Sequence, residues 1–222
     1  MSIKENLSSI KSKLPEHVTL VAVSKTKPVD TIMEAYEAGH NTFGENKVQE
    51  MVEKYEEMPK DIEWHMIGHL QRNKVKYMAN FVRLIHGVDN FKLLKEINKQ
   101  AKKHDRVIDC LFQIKIAEED SKFGMSTYEA KEIITSKSFS ELKNIRITGV
   151  MGMATFTNNE TQIKQEFNVL KQTFEDLKPL ETTNFKPETI SMGMSGDYQL
   201  AIACGSTMIR VGSSIFGARN YQ

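Results

Sequence analysis

The chain has 222 residues, 40% of them hydrophobic, enough for one large core or two small ones. Its 30 lysines and arginines nearly balance 29 acidic residues, a formal net charge of +1 that argues against a nucleic-acid surface as its main business. No stretch is long and apolar enough to span a membrane, residues 1–14 carry no apolar secretion core, and the two cysteines, Cys110 and Cys204, lie in apolar surroundings, so a cytoplasmic protein without a disulfide framework is expected.

Ile3, Leu7, Ile10 and Leu14 recur at helical spacing and predict an N-terminal helix that Pro15 ends. A first strand is expected over Val18–Ser24. A helix over Pro28–Ala38 follows, with proline at its first turn and Gly39 as its stop. Asn41–Phe43 reads as a short strand running into Gly44, Glu45 and Asn46, and Lys47–Glu57 as a helix. Strand three is expected over Ile62–Ile67, a helix over Leu70–Met78, and strand four over Leu84–Val88. Asp89 or Asn90 caps a helix to about Lys103, and Val107–Ile116 is a long apolar strand. Ser126 caps the next helix. Ile145–Met151 is strand six, Glu160–Leu177 a long helix, Thr189–Met192 strand seven, Gly196–Cys204 a short helix, and Met208–Val211 strand eight.

Strands that alternate with helices and read as continuous apolar runs belong to a parallel sheet buried on both faces. Eight such units predict an α/β fold, a single-domain (β/α)8 TIM barrel over residues 1–222, with a doubly wound open sheet as the competing architecture. The residues after strand eight are too few for the usual closing helix. The N-terminal helix of residues 1–14 is expected to cover that part of the barrel instead.

Function in such barrels collects at the C-terminal ends of the strands. Strand one delivers Lys25 there. A lysine closing an apolar strand has a buried stem, and burial favours the neutral amine that Schiff-base chemistry with an aldehyde needs. A solvated lysine at a strand end is the plainer alternative. Strand two delivers Asn46, strand three His65, and strand seven Ser191 and Met192 with Gly193–Asp197. Strand eight delivers Arg210, Gly212 and Ser213. The glycines and hydroxyls after strands seven and eight suit a phosphate cradle, although they also suit ordinary turns. His65 and His69 lack the helical context of a zinc motif, and the basic run 72–76 reads as a solvated helix face. Lys122 lies in a polar loop and is expected to be exposed, with an approach to the mouth as the alternative.

The segments VAVSKTKP (21–28), FGENKVQE (43–50), WHMIGHLQRNK (64–74), SMGMSGDYQLAI (191–202) and GSTMIRVGSSIFGARN (205–220) together resemble the pyridoxal phosphate homeostasis proteins, the YggS/PROSC family. The resemblance runs over nearly the whole chain. It implies a fold-type III barrel similar to the N-terminal domain of bacterial alanine racemase, with pyridoxal 5′-phosphate (PLP) bound as an internal aldimine on Lys25. It also implies Asn46 beside the ring, Ser191 and Met192 in a first phosphate segment, and Gly212 and Ser213 in a second. Many relatives have threonine where this chain has Ser213, a change that keeps the hydroxyl. Arg210 matches an arginine facing the pyridine nitrogen, and His65 stands in a family motif beside the site.

The resemblance favours a non-catalytic carrier or regulator of intracellular PLP, with apo PLP-dependent enzymes as partners. A PLP-dependent amino-acid racemase or lyase is the alternative. Alanine racemase takes one of its acid/base groups from a second domain of the partner subunit, and this chain stops soon after strand eight. An open mouth and a monomer are therefore expected.

Overall fold

The computed structural model describes residues 2–118 and 123–218. Eight parallel strands close into a barrel in sequence order: β1 (Thr19–Val23), β2 (Thr42–Glu45), β3 (Glu63–Met66), β4 (Leu84–Val88), β5 (Ile108–Gln113), β6 (Ile145–Met151), β7 (Phe185–Ser191) and β8 (Met208–Val211). The pairing of β1 with β8, through Thr19 with Met208 and Ala22 with Val211, excludes the open sheet. The helices are α1 (Ile3–Lys11), α2 (Val29–Glu37), α3 (Val48–Glu57), α4 (Phe91–Lys103), α5 (Thr127–Thr135), α6 (Lys137–Ser140), α7 (Glu160–Leu177), α8 (Tyr198–Ala203) and α9 (Ser213–Phe216). Asn90 and Ser126 cap α4 and α5 through Leu93 N–H and Glu129 N–H.

Two predicted elements differ most from the structure. The expected helix over Leu70–Met78 is a 3-10 helix over Arg72–Tyr77, with Val75 buried and Arg72 and Lys76 exposed. Strand β7 starts at Phe185 rather than Thr189, because Lys186 and Glu188 face solvent and break the apolar run. Next to it Gly149 has φ +152°, and a Cβ there would lie 1.9 Å from the Thr189 carbonyl oxygen. Only glycine admits that close approach at the β6 register shift.

Most of the core lies between the sheet and the helices, around Phe43, Trp64, Phe112, Phe139, Phe167 and Phe185. A smaller cluster fills the barrel interior: Val21, Leu84, Leu111, Met151 and Met208. Lower in the barrel, Asp109 accepts from Arg83 at 2.8 Å and from Arg146 at 2.7 and 2.9 Å. Among the described residues, no helix is long and apolar enough to cross a membrane.

Helix α1 opens with a capping box between Ser2 and Glu5. It buries Leu7 and Ile10, and its Asn6 amide donates to the Ile215 carbonyl of α9 at 2.9 Å. Burying two aliphatic side chains contributes about 3–6 kcal/mol. Deleting residues 1–14 should therefore lower the melting temperature by at least about 5 °C. Calorimetry checks this, and an unchanged transition would mean that α1 does not support the barrel.

Candidate cofactor site

Strand alternation decides which side chains enter the barrel. Val21 lies inside, and Lys25 follows four residues later in the turn after β1. Val23 pairs with Gly44, and Lys25 and Asn46 each stand two residues beyond that pair. Both are half-buried. Gly68 holds the Asn46 backbone closely, since a Cβ on it would lie 2.5 Å from the Asn46 carbonyl oxygen. On the other flank Gly212 meets Val23, where a Cβ would stand 3.1 Å from the Val23 carbonyl oxygen.

The segments after β7 and β8 come together. Gly212 N–H donates to Ser195 Oγ at 3.1 Å, and Arg210 N–H donates to the Gly193 carbonyl at 3.0 Å. Gly193 has φ +96°, a value that favours glycine, and Met194 N–H is held by Asp197 Oδ1 at 2.6 Å. Ser213 is exposed at the start of α9, where first-turn N–H groups have no intrahelical acceptor. Met192 differs from its neighbours. Its side chain belongs to the outer core, its N–H donates to the Met208 carbonyl, and its own carbonyl accepts from Ser206 Oγ.

Beneath this mouth runs a buried polar chain. Arg210 donates from Nη1 to Ser191 Oγ at 2.6 Å and from Nη2 to the Gly152 carbonyl at 3.1 Å. Ser191 Oγ lies 3.1 Å from His86 Nδ1, and His86 Nε2 lies 3.0 Å from His65 Nδ1. Burial brings Arg210 down to about 10, partly offset by Asp197, so the guanidinium stays charged at neutral pH. Burial lowers His65 to about 3, with Arg83 adding to the effect. His86 falls well below its ordinary value through burial, His65 and Arg210. Both imidazoles are therefore neutral, and each shared contact carries one proton. Ser191 and His65 thus act on Arg210 from within the barrel, one and three hydrogen bonds away from it. His69 points elsewhere: it stacks on Phe123 with ring centroids 4.2 Å apart and approaches Asp89 at 3.5 Å.

The chain as a whole is similar to known proteins. The family model for the alanine racemase N-terminal domain matches residues 1–220. A pyridoxal phosphate homeostasis protein of Haemophilus influenzae is 38% identical over 236 residues, covering 100% of this chain and 98% of that protein. The chain belongs to the pyridoxal phosphate homeostasis protein family. Among solved structures, PipY of Synechococcus elongatus PCC7942 with PLP bound is 33% identical, with a TM-score of 0.88 over 97% of this chain and 100% of that one. An alanine racemase from E. faecalis is 15% identical, with a TM-score of 0.77 over 98% of this chain and 58% of the racemase, a likeness of fold alone.

The sequence reading placed Lys25, Asn46, Arg210, Gly212 and Ser213 at the C-terminal ends of the strands, and the structure puts them at or just before those ends. It missed His86. The signal was present as a histidine two residues after Leu84 on an apolar strand, hence on the inward face. It also missed the contact of Ser195 with Gly212, which no spacing announces. Lys122 lies outside the described residues.

Proposed function

We propose that the protein binds PLP at the barrel mouth and serves in handling this cofactor rather than in turning over amino acids. Lys25 would take the aldehyde end, Asn46 would flank the ring, Arg210 would face the ring nitrogen, and Ser195, Gly212 and Ser213 would receive the phosphate. Ser191 and His65 would hold Arg210 from below, and Met192 would contribute through its place in the chain rather than its side chain. The observation that carries this reading is the meeting of the two glycine–serine segments beside the Lys25 turn, joined by the Ser195–Gly212 bond. The fit is physical: the glycines let backbone approach an anion, and a charged guanidinium lies below. The PLP-bound relative supports the choice of cofactor.

PLP supplies an aldehyde that condenses with amines and a ring that withdraws electrons. The chain's own groups limit the second property. Arg210 is a donor only and remains charged, so facing the ring nitrogen it would favour the unprotonated form and a weak electron sink. The two neutral histidines are buried beneath the mouth, where they support Arg210 rather than meeting an amino acid. Both features suit storage and hand-over to apo PLP-dependent enzymes better than carbanion chemistry.

Titration with PLP and with pyridoxal tests the phosphate cradle. Pyridoxal should bind much more weakly. Ser213→Ala should weaken PLP binding by about 1–2 kcal/mol, the worth of one hydrogen bond to a charged group. Equal affinity for the two ligands would remove the cradle.

A further inference from the structure

Three charged side chains outside the barrel converge on the backbone that carries Lys25. Lys54, on α3, is 5% exposed, and its ammonium donates to the Ser24 carbonyl at 2.9 Å, Glu45 Oε1 at 2.8 Å and Glu50 Oε1 at 2.7 Å. Glu45, at the end of β2, is fully buried, and its Oε1 also accepts from Ser24 Oγ at 2.6 Å. Glu50 Oε1 accepts from Thr26 N–H at 2.5 Å. Among the described residues, every hydrogen bond these three side chains make outside the trio goes to Ser24 or Thr26. The residues immediately before and after Lys25 are thereby gripped by charged groups.

Two features set this trio apart from an ordinary stabilising ion pair. Thr26 has φ +64°, a left-handed backbone that is costly for a β-branched residue and persists only where its surroundings enforce it. Glu45 Oε2 is buried without a hydrogen-bond partner, and burial pushes this carboxyl up to about 7 against the pull of Lys54. A buried pair with an unpartnered oxygen is a poor source of stability. Its contacts instead define one conformation of the turn.

We infer that Glu45, Glu50 and Lys54 are positioning residues that fix the Lys25 turn, so that its amine is presented to the barrel mouth before any ligand arrives. The inference rests on the reading of Lys25 as the cofactor lysine. Preorganisation of this kind shows up as affinity, because a loose turn must be ordered on binding.

The test uses the full chain, with and without PLP. Glu50→Ala removes the acceptor of Thr26 N–H at a partly exposed position, whereas Glu50→Gln keeps an acceptor. Glu50→Ala should speed amide hydrogen exchange at residues 25–27 in the cofactor-free protein and weaken PLP binding about tenfold, the loss of one charge-assisted hydrogen bond. Its melting temperature should stay within about 3 °C of the parent's. Glu50→Gln should recover most of both losses. Should Glu50→Ala fail to fold, Ser24→Ala, which removes only the hydroxyl held by Glu45, is measured in the same way. Unchanged exchange together with affinity within about twofold of the parent would overturn the inference. Faster exchange in a protein whose parent never binds PLP at Lys25 would instead overturn the cofactor reading and leave the clamp standing.

Discussion

Replacing Lys25 with alanine should abolish the borohydride-stable adduct between the protein and PLP, and with it the visible absorption band. The expected loss is complete because the other lysines nearby in the chain are committed elsewhere. Lys27 donates to the carbonyls of Phe216, Gly217 and Ala218 at 3.0, 3.4 and 3.2 Å, which ties it to the end of α9. Lys54 spends its three protons on Ser24, Glu45 and Glu50. The variant should still fold, since Lys25 lies in a turn and outside both hydrophobic clusters. Weak non-covalent retention through the phosphate segments should survive. Mass spectrometry after borohydride reduction reads the result. An adduct of undiminished yield on another lysine would show that the amine has been misassigned.

Acidification from pH 7 to pH 5 should cost at least about 2 kcal/mol of stability, a drop of roughly 4–8 °C or more in melting temperature. Three buried histidines set the sign. Burial and Lys11 lower His40 to about 4, burial and Arg83 lower His65 to about 3, and His86 is lower than its ordinary value as well. Each has a folded pKa below its unfolded value, so the unfolded chain binds more protons below about pH 6.5. Stability is then lost as pH falls, by roughly 2 kcal/mol each for His40 and His65 over this range, and His86 adds to the loss. Glu45 acts the other way. Its folded value of about 7 lies above its unfolded value of 4.5, so protonation between those limits favours the native state by about 2 kcal/mol. Three losses against one gain leave a net loss. Thermal melts at several pH values check it. A melting temperature that stays flat or rises from pH 7 to pH 5 would mean that the His65–His86–Ser191–Arg210 chain admits a proton.

The barrel was legible because parallel strands buried on both faces are written as apolar runs between amphipathic helices. The reading of Leu84–Val88, Ile145–Met151 and Glu160–Leu177 agrees with β4, β6 and α7 residue for residue. Where solvent-facing charges enter a strand, as Lys186 and Glu188 do in β7, the run is interrupted and the reading shortens. The site divides in the same physical way. Lys25, Gly212 and Ser213 follow strand ends, so their place at the mouth needs only the fold class. His86 meets His65 through pairing between β3 and β4, and that partnership depends on register. The clamp on Lys25 was the least visible part. Glu50 and Lys54 stand four residues apart on α3, a spacing shared with any exposed i,i+4 helix pair. Their burial depends on where α3 settles against the ends of β1 and β2, which no local pattern encodes.

On the proposed reading this barrel holds PLP without removing protons from amino acids. The most direct measurement is deuterium incorporation at the α-carbon of L-alanine, incubated in heavy water with the PLP-loaded protein. Incorporation no faster than with an equal concentration of free PLP is expected, because on the proposed reading Arg210 would keep the ring a weak electron sink and the buried histidines lie beneath the mouth. Stereospecific exchange at about 1 s⁻¹ or faster, the lower end of ordinary enzyme turnover, would contradict it and make the protein an enzyme of the racemase kind.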